Sequence, residues 1–171
     1  MLKRHLIAIL ISLMLGLTLF TAGCSSSKET DLPLTTASPA ANTEIIYGEG
    51  LTHVEGDKTI SWRWMSNEGI VKLKNNTRDM KLSLTGNVPM NAFPQPPTLT
   101  LFFNGKQLDQ FPGAQNVAKE YTIPAADQAG KEYSELKITT NKTFVPKEVD
   151  KKSADDRKLG LSVTKVEWVT K

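Results

Sequence analysis

The stretch Phe144-Val-Pro-Lys-Glu-Val-Asp-Lys-Lys-Ser-Ala-Asp-Asp-Arg-Lys-Leu-Gly-Leu-Ser-Val-Thr-Lys-Val-Glu-Trp168 decides the fold, because it joins a charged loop to a last β-strand. Over residues 159–169 apolar residues nearly alternate with polar ones, with one irregularity around Lys165, a pattern typical of a half-buried strand. The preceding run 151–158 consists mostly of charged residues, so it is expected on the surface at one end of a sheet. The stretch therefore predicts a surface loop that leads into the strand closing the fold.

The rest of residues 43–171 repeats this pattern of short apolar alternations, separated by Gly, Pro, Asn and Asp about every ten residues. We find no amphipathic helical stretch of convincing length. The sequence therefore predicts an all-β domain, an antiparallel jelly-roll β-sandwich of about eight strands. The expected strands are 44–47, 59–65, 69–74, 80–85, 98–103, 119–123, 135–139 and 159–169, with a short return strand at 107–111. The expected core includes Trp64, Leu73, Leu82, Leu84, Leu99, Leu101, Ile138, Leu161 and Val163.

Three connections between the strands carry specific signals. Asn104-Gly105 predicts a tight hairpin, because both residue types tolerate the backbone that such turns require. The proline-rich segment 86–97 is excluded from any central strand and is expected to cross over at one end of the sandwich. Residues 125–131 predict no more than a single helical turn.

The first residues have the composition of a secretory signal. Lys3 and Arg4 precede an apolar run of about 15 residues, which is short for a membrane span. The small residues that follow lead to the only cysteine, in Thr21-Ala22-Gly23-Cys24, and this motif resembles a bacterial lipobox. The resemblance implies that residues 1–23 are a signal peptide and that Cys24 is lipidated with diacylglyceryl and further acyl groups such as palmitate. Two or three acyl chains anchor a protein durably.

Residues 24–42 then comprise the lipidated cysteine and a flexible tether rich in Ser, Thr, Ala and Pro, spanning roughly 20–25 Å on average. We expect the protein at the cell membrane, lipid-anchored and extracytoplasmic. The outer membrane is the alternative destination if the organism has two membranes.

Charge limits the classes of binding partner that the sequence supports, and the cysteine content excludes an internal disulfide. Residues 1–23 contain two of the 21 basic residues and no acidic residue, so the rest of the chain carries 19 basic against 18 acidic residues. A nearly neutral chain of mixed charge gives no support for nucleic-acid binding or for a polybasic membrane patch. A single cysteine permits no internal disulfide, so the core alone must hold the fold.

The composition also disfavours an enzyme. After the leader only His53 remains as a histidine, and no Gly-x-Ser-x-Gly motif occurs. The residues for a catalytic Cys–His pair or for a Ser–His–Asp triad in its usual sequence context are therefore missing. A zinc site lacks a second His or Cys ligand. Paired carboxylates for glycoside hydrolysis are an alternative, but scattered loop acids are usually only surface residues. We expect no catalytic residues, no cofactor and no metal.

Aromatic residues give a more specific signal in Ser61-Trp62-Arg63-Trp64-Met65. The period of two puts Trp62 and Trp64 on one face of a strand and Arg63 on the other. We expect at least one indole in the core. The alternative is that the pair forms a platform for a sugar ring. Arg63 is expected either to cover the sheet or to reach a carboxylate.

Both ends of the domain resemble a known group. Tyr47-Gly-x-Gly50, Glu55 and Trp62-Arg63-Trp64 resemble the opening of galactose-binding-like jelly-roll domains in bacterial envelope proteins. Phe144-Val-Pro146, Asp155-Asp156-Arg157 and Leu159-Gly160 resemble the last segment of sandwich domains appended to some bacterial membrane glycosyltransferases.

The resemblance implies a grouping of Arg63, Asp155, Asp156 and Arg157 near the loop that begins at Phe144. One interpretation is structural, an Arg–carboxylate pair that locks the ends of the first and last strands together. The alternatives are hydrogen bonds to sugar hydroxyls, or a Ca²⁺ ion held by Asp155 and Asp156.

Two functions of different class follow. In the first, the domain is a non-catalytic carbohydrate-binding module of the cell envelope, with Phe93 as a stacking ring and Asp155, Asp156 and Arg157 as hydrogen-bonding groups. In the second it is a structural or adaptor lipoprotein that docks another envelope protein. Docking would require an exposed apolar patch with contributions from Met90, Phe93 and Phe111.

Overall fold

The computed structural model describes residues 44–128 and 130–171, so the predicted signal peptide, the lipidated Cys24 and the tether lie outside the described residues. The described part contains two 3-10 turns, Met90–Ala92 and Ala125–Gln128, and one short helix, α1, at Pro146–Val149. No helix within it is long and apolar enough to span a membrane. Its strands are β1 (Ile45–Tyr47), β2 (Glu55–Gly56), β3 (Ser61–Met65), β4 (Glu68–Lys74), β5 (Met80–Asn87), β6 (Thr98–Phe103), β7 (Lys106–Pro112), β8 (Val117–Ile123), β9 (Tyr133–Thr140) and β10 (Leu161–Thr170).

The strands form two antiparallel sheets, ordered β1-β4-β9-β6-β7 and β2-β3-β10-β5-β8. From β3 onward the chain alternates between the sheets, except that β6 and β7 form a hairpin within one sheet. This is the strand order of a jelly roll, so the predicted fold class is confirmed. The described chain has ten strands rather than about eight. The return strand β7 forms as expected, and β2 adds a strand that was not predicted because its two residues show no apolar alternation.

Alternation in the sequence corresponds to alternation of burial. Along β5, Met80, Leu82 and Leu84 are buried between the sheets while the residues between them face outward. Apart from Trp64, the predicted core residues are all buried. Trp168 on β10 is fully buried, and its indole N–H donates to the backbone carbonyl of Lys74 at 2.7 Å. The core therefore lies where the period of two places it.

Trp64 does not belong to the core, although the sequence predicted it there. Met65 is the fully buried residue of β3, so the alternation puts Trp62 and Trp64 on the outer face of the sheet, where both are half-buried. Arg63 pairs with the buried Val163 and faces the inner side, opposite the two indoles as predicted. The expectation of a core indole on β3 is wrong, because the period of two fixes which residues share a face but not which face is inside.

Two local predictions are confirmed in the backbone. Asn104 and Gly105 both have positive φ, 50° and 82°, which is the backbone of a two-residue hairpin turn. β10 is irregular between Val163 and Lys165, where its pairing with β5 shifts by one residue. The last strand begins at Leu161 rather than at residue 159.

Polar contacts close the edge between β7 and β8. Asp109 accepts a hydrogen bond from the Tyr121 hydroxyl at 2.7 Å and another from Lys119 Nζ at 3.1 Å. These bonds, that of Tyr121 foremost, lower the pKa of Asp109, while burial and the bond to Asp109 raise the pKa of Tyr121. Lys119 Nζ also lies 4.0 Å from the ring centroid of Phe111, which is itself buried. The group fastens one sheet to the other at this edge.

Candidate functional site

Four of the five predicted site residues lie in segments at one end of the sandwich, which we term the loop end: Phe93, Asp155, Asp156 and Arg157. β3 ends there at Met65, opposite the start of β10, and β5 ends beside it at Asn87. The segment 88–97, which follows β5, and the segment 141–160, which precedes β10, therefore emerge at the same end. Loops gathered at one end of a rigid sandwich are a common place for binding residues.

Three aromatic rings are in contact at the loop end, and we term them the aromatic trio: Trp64, Phe144 and Phe93. The ring of Phe144 lies edge-on to Trp64, with centroids 6.0 Å apart, and edge-on to Phe93, with centroids 5.7 Å apart. All three are half-buried. Phe144 is held in place by two backbone hydrogen bonds with Leu159, each 2.8 Å. The trio is thus a partly exposed aromatic surface on an ordered backbone.

Arg157 forms the second part of the site, with Asp155 and Glu55. Its guanidinium donates to Asp155 through Nε at 3.0 Å and Nη2 at 2.7 Å, and to Glu55 through Nη1 at 2.7 Å. These bonds keep the pKa of Asp155 below its usual value and raise that of Arg157. The predicted Arg–carboxylate pair between the two ends of the domain therefore exists, but it joins Arg157 to Glu55 and does not involve Arg63.

Thr52 connects this charged group to β3. Its hydroxyl donates to Glu55 Oε1 at 3.3 Å and accepts from the backbone N–H of Trp64 at 2.9 Å. Its carbonyl accepts from Arg63 Nη1 at 2.8 Å. The segment before β2 thus links the charged group, the aromatic trio and Arg63 through direct hydrogen bonds.

Asp156 lies beside this group but takes little part in it. Its side chain is 72% exposed and pairs only loosely with Lys147 Nζ, at 3.4 Å. Both carboxylate oxygens of Asp155 accept from Arg157, so the alternative in which Asp155 and Asp156 hold a Ca²⁺ ion does not fit the arrangement. Within residues 44–128 and 130–171, no group of three or more His, Cys, Asp or Glu side chains is placed to hold a metal ion.

Arg63 points to a different surface from the other predicted residues. Its guanidinium carbon lies 4.7 Å from the ring centroid of Tyr47, and it lines a small depression beside β3. The structure therefore brings Asp155 and Arg157 into direct contact, places Phe93 in the aromatic trio, leaves Asp156 at the rim and separates Arg63. Trp64 and Phe144 were not predicted as members of a binding surface, although both stand in the motifs that carry the resemblance.

A larger cleft, of about 510 Å³, lies at the opposite end of the sandwich. It is formed around the Asn104-Gly105 hairpin and the 3-10 turn Ala125–Gln128, with Lys106, Leu108 and Asp127 among its lining residues. None of the residues predicted for a site lies there.

Comparison with known proteins gives no family for this chain. No family model matches it, and no curated protein sequence matches it. Its fold is similar to that of several solved structures at 8–13% sequence identity.

Three of these structures illustrate the range. The CBM36-1 domain of a multidomain xylanase from the hindgut metagenome of Trinervitermes trinervoides is 12% identical, with a TM-score of 0.39 over 76% of this chain and 98% of that one. The C-terminal domain of EclA, described as a sugar-binding protein, is 13% identical, with a TM-score of 0.40 over 87% and 89%. A family 35 carbohydrate-binding module from an environmental isolate is 12% identical, with a TM-score of 0.39 over 74% and 96%. Alignments at these TM-scores indicate neither a ligand nor a site for this chain.

Proposed function

We propose that this protein is a membrane-anchored extracytoplasmic lipoprotein whose jelly-roll domain binds carbohydrate at the loop end without catalysing a reaction. The observation that carries the proposal is the aromatic trio of Trp64, Phe144 and Phe93 beside the fixed charges of Arg157 and Asp155. Sugars present an apolar ring face and a rim of hydroxyl groups. A partly exposed aromatic surface bordered by oriented polar groups complements both.

The polar part of this surface has capacity left for a ligand. The carboxylate of Asp156 is mostly exposed and has one weak partner, so it is free to accept from sugar hydroxyls. Arg157 is 40% exposed although it is anchored by two carboxylates. Because its guanidinium is already oriented, a hydroxyl that accepts from it would meet a fixed donor.

A glycan array of the detergent-purified full-length chain tests this proposal. We expect Phe93→Ala to lower the array signal at least tenfold, and Asp156→Ala to lower it by a smaller factor. The matched control is Phe102→Ala, which removes a half-buried ring from the outer face of the other sheet, where it contacts Lys137. An array without signal for the native chain, or equal signals for Phe93→Ala and Phe102→Ala, would exclude the aromatic trio as a sugar site.

The anchor is the second part of the proposal and rests on the lipobox-like motif ending at Cys24. Lipidation there would hold the domain at the membrane surface on the tether of residues 24–42. We expect Cys24→Ser to lose the added lipid mass and to release the protein or leave it unprocessed. Intact-mass analysis of the native protein that finds an unmodified Cys24 would contradict the anchor while leaving the sugar site untouched.

The adaptor alternative receives less support from the described residues. Of the three residues expected to form its apolar patch, Phe111 is buried, and Met90 and Phe93 are half-buried against the core. The exposed large hydrophobic residues of the described chain are Val54, Ile60 and Val149. Phe111 would therefore contribute nothing to such a docking surface, which leaves Met90 and Phe93 as its partly exposed members.

A further inference from the structure

A small depression lies on the side of the sandwich where β3 separates from β10. β3 pairs with β10 only as far as Val163, and β10 is irregular immediately after that residue. The gap has a volume of about 60 Å³, enough for a few water molecules. Its lining combines aromatic, aliphatic, hydroxyl and cationic groups, namely Tyr47, Val54, Ser61, Trp62, Arg63, Val163 and Thr164.

Arg63 supplies the positive charge of this depression. Its guanidinium lies over the ring of Tyr47 and donates one hydrogen bond, from Nη1 to the carbonyl of Thr52. Among the residues the structure describes, Arg63 forms no ion pair, whereas Arg157 engages two carboxylates. A guanidinium has five N–H donors in a planar fork, so most of the hydrogen-bonding capacity of Arg63 is unused within the domain.

The groups around Arg63 leave its charge uncompensated. Glu55 lies opposite Trp62 on the neighbouring strand, but its carboxylate accepts from Arg157 and from Thr52. Tyr47 is neutral at ordinary pH, and burial raises the pKa of its hydroxyl further. Neither group thus contributes a free negative charge to the depression.

We propose that this depression binds the carboxylate of an acidic sugar, a uronic acid unit of the glycan, with Arg63 as its bidentate partner. This inference rests on the proposed carbohydrate-binding function. The depression is open to solvent, so a sugar whose carboxylate pairs with Arg63 can keep its ring at the mouth, which Trp62 and Val54 also line. Ser61 and Thr164 line the same depression, and each carries a hydroxyl that can donate to an anion. The depression therefore selects for charge, while the aromatic trio selects for a sugar ring.

Titration by nuclear magnetic resonance on the full-length chain in detergent micelles tests this assignment. The chain has three tryptophans, whose indole N–H signals are separate reporters. Glucuronate is expected to shift the signal of Trp62, which lines the depression, and to leave that of the buried Trp168 unchanged. Trp62→Phe identifies the signal. Glucose and glucose 6-phosphate are the comparison ligands.

We expect glucuronate to bind at least tenfold more tightly than glucose, and Arg63→Gln to abolish that difference. Arg63→Lys is the second variant, because it keeps the charge but loses the planar fork, and it is expected to retain only part of the preference. The matched control is Arg78→Gln, which removes an exposed guanidinium from the turn between β4 and β5. Circular dichroism of each variant verifies the fold.

The possible results distinguish the carboxylate site at Arg63 from carbohydrate binding by the domain as a whole. Binding of neutral glycans on the array, with no preference for glucuronate or no effect of Arg63→Gln, overturns the carboxylate site and leaves the carbohydrate-binding proposal standing. Tighter binding of glucose 6-phosphate than of glucuronate overturns the assignment of a carboxylate. A native chain that binds neither sugars nor arrayed glycans overturns both.

Discussion

Replacing Arg157 with Met removes the residue that holds Glu55 and Asp155 together, and it tests whether this charged group stabilises the domain. Arg157 donates two hydrogen bonds of 2.7 Å, one to each carboxylate, and weaker ones beside them. A hydrogen bond to a charged group contributes about 1.5–3 kcal/mol. The Arg157 side chain is 40% exposed, so screening by water reduces that value. Two bonds at the low end of this range contribute about 3 kcal/mol before screening. With screening, we expect Arg157→Met to lower the free energy of unfolding by about 2 kcal/mol.

Urea unfolding followed by circular dichroism measures this loss, and Lys147→Met is the matched control. Lys147 lies in the same loop and is 49% exposed, but its single contact with Asp156 is weak, so its removal should change the free energy by less than about 0.5 kcal/mol. If Arg157→Met and Lys147→Met lowered the free energy of unfolding equally, the hydrogen bonds of Arg157 to Glu55 and Asp155 would not stabilise the domain. The folded pKa of Asp155 is lowered, so its contribution is present above the ordinary Asp pKa of about 3.9 and is lost as the pH falls through the folded value. The difference between native protein and Arg157→Met should therefore shrink in acid.

Three further substitutions probe the core, the sheet edge and a close backbone contact. Trp168→Phe removes a 2.7 Å hydrogen bond to a backbone carbonyl of β4 and leaves a small cavity, so urea unfolding should show a loss of about 2–3 kcal/mol. Tyr121→Phe should cost about 1–2 kcal/mol at pH 7 and less in acid, once the pH falls through the folded pKa of Asp109, which lies below its ordinary value; an equal cost at neutral and acidic pH would contradict this. Gly160→Ala places a methyl group 2.6 Å from Cγ2 of Thr140. Thermal unfolding should therefore show that the free energy of unfolding falls by about 1–3 kcal/mol. An unchanged free energy would mean that the backbone moves aside at little cost.

Alternation predicted most of the strands, because a strand that is buried on one face must repeat its apolar residues with a period of two. The same rule failed at Trp64. In Trp-Arg-Trp-Met either face of β3 offers a large side chain to the core, and the pairing of Arg63 with Val163 rather than hydrophobicity determines which face is inside. β2 gave no signal because two residues cannot show a period.

The sequence predicted several residues of the candidate site, but it did not predict which of them contact one another. Arg157 and Asp155 are close in sequence and were expected together, whereas Glu55 lies 102 residues from Arg157 and meets it only through the fold. Arg63 was grouped with these acids through the resemblance to known domains, and the structure instead places it against Tyr47. Phe93 was predicted as an isolated stacking ring, and its contact with Phe144 depends on how two long loops meet.

The strand order of the second sheet has a consequence for how this chain matures. β10, the last strand along the described chain, occupies the centre of its sheet, between β3 and β5. Until residues 161–170 are present, β3 and β5 have no common neighbour, and their backbone groups face solvent as open edges. A chain truncated before Leu161 would therefore lack the centre of the sheet rather than an end, and would be exposed to proteolysis and aggregation. Because the pairing of β3 with β10 spans most of the described sequence, this sheet should form slowly and only once residues 161–170 are present.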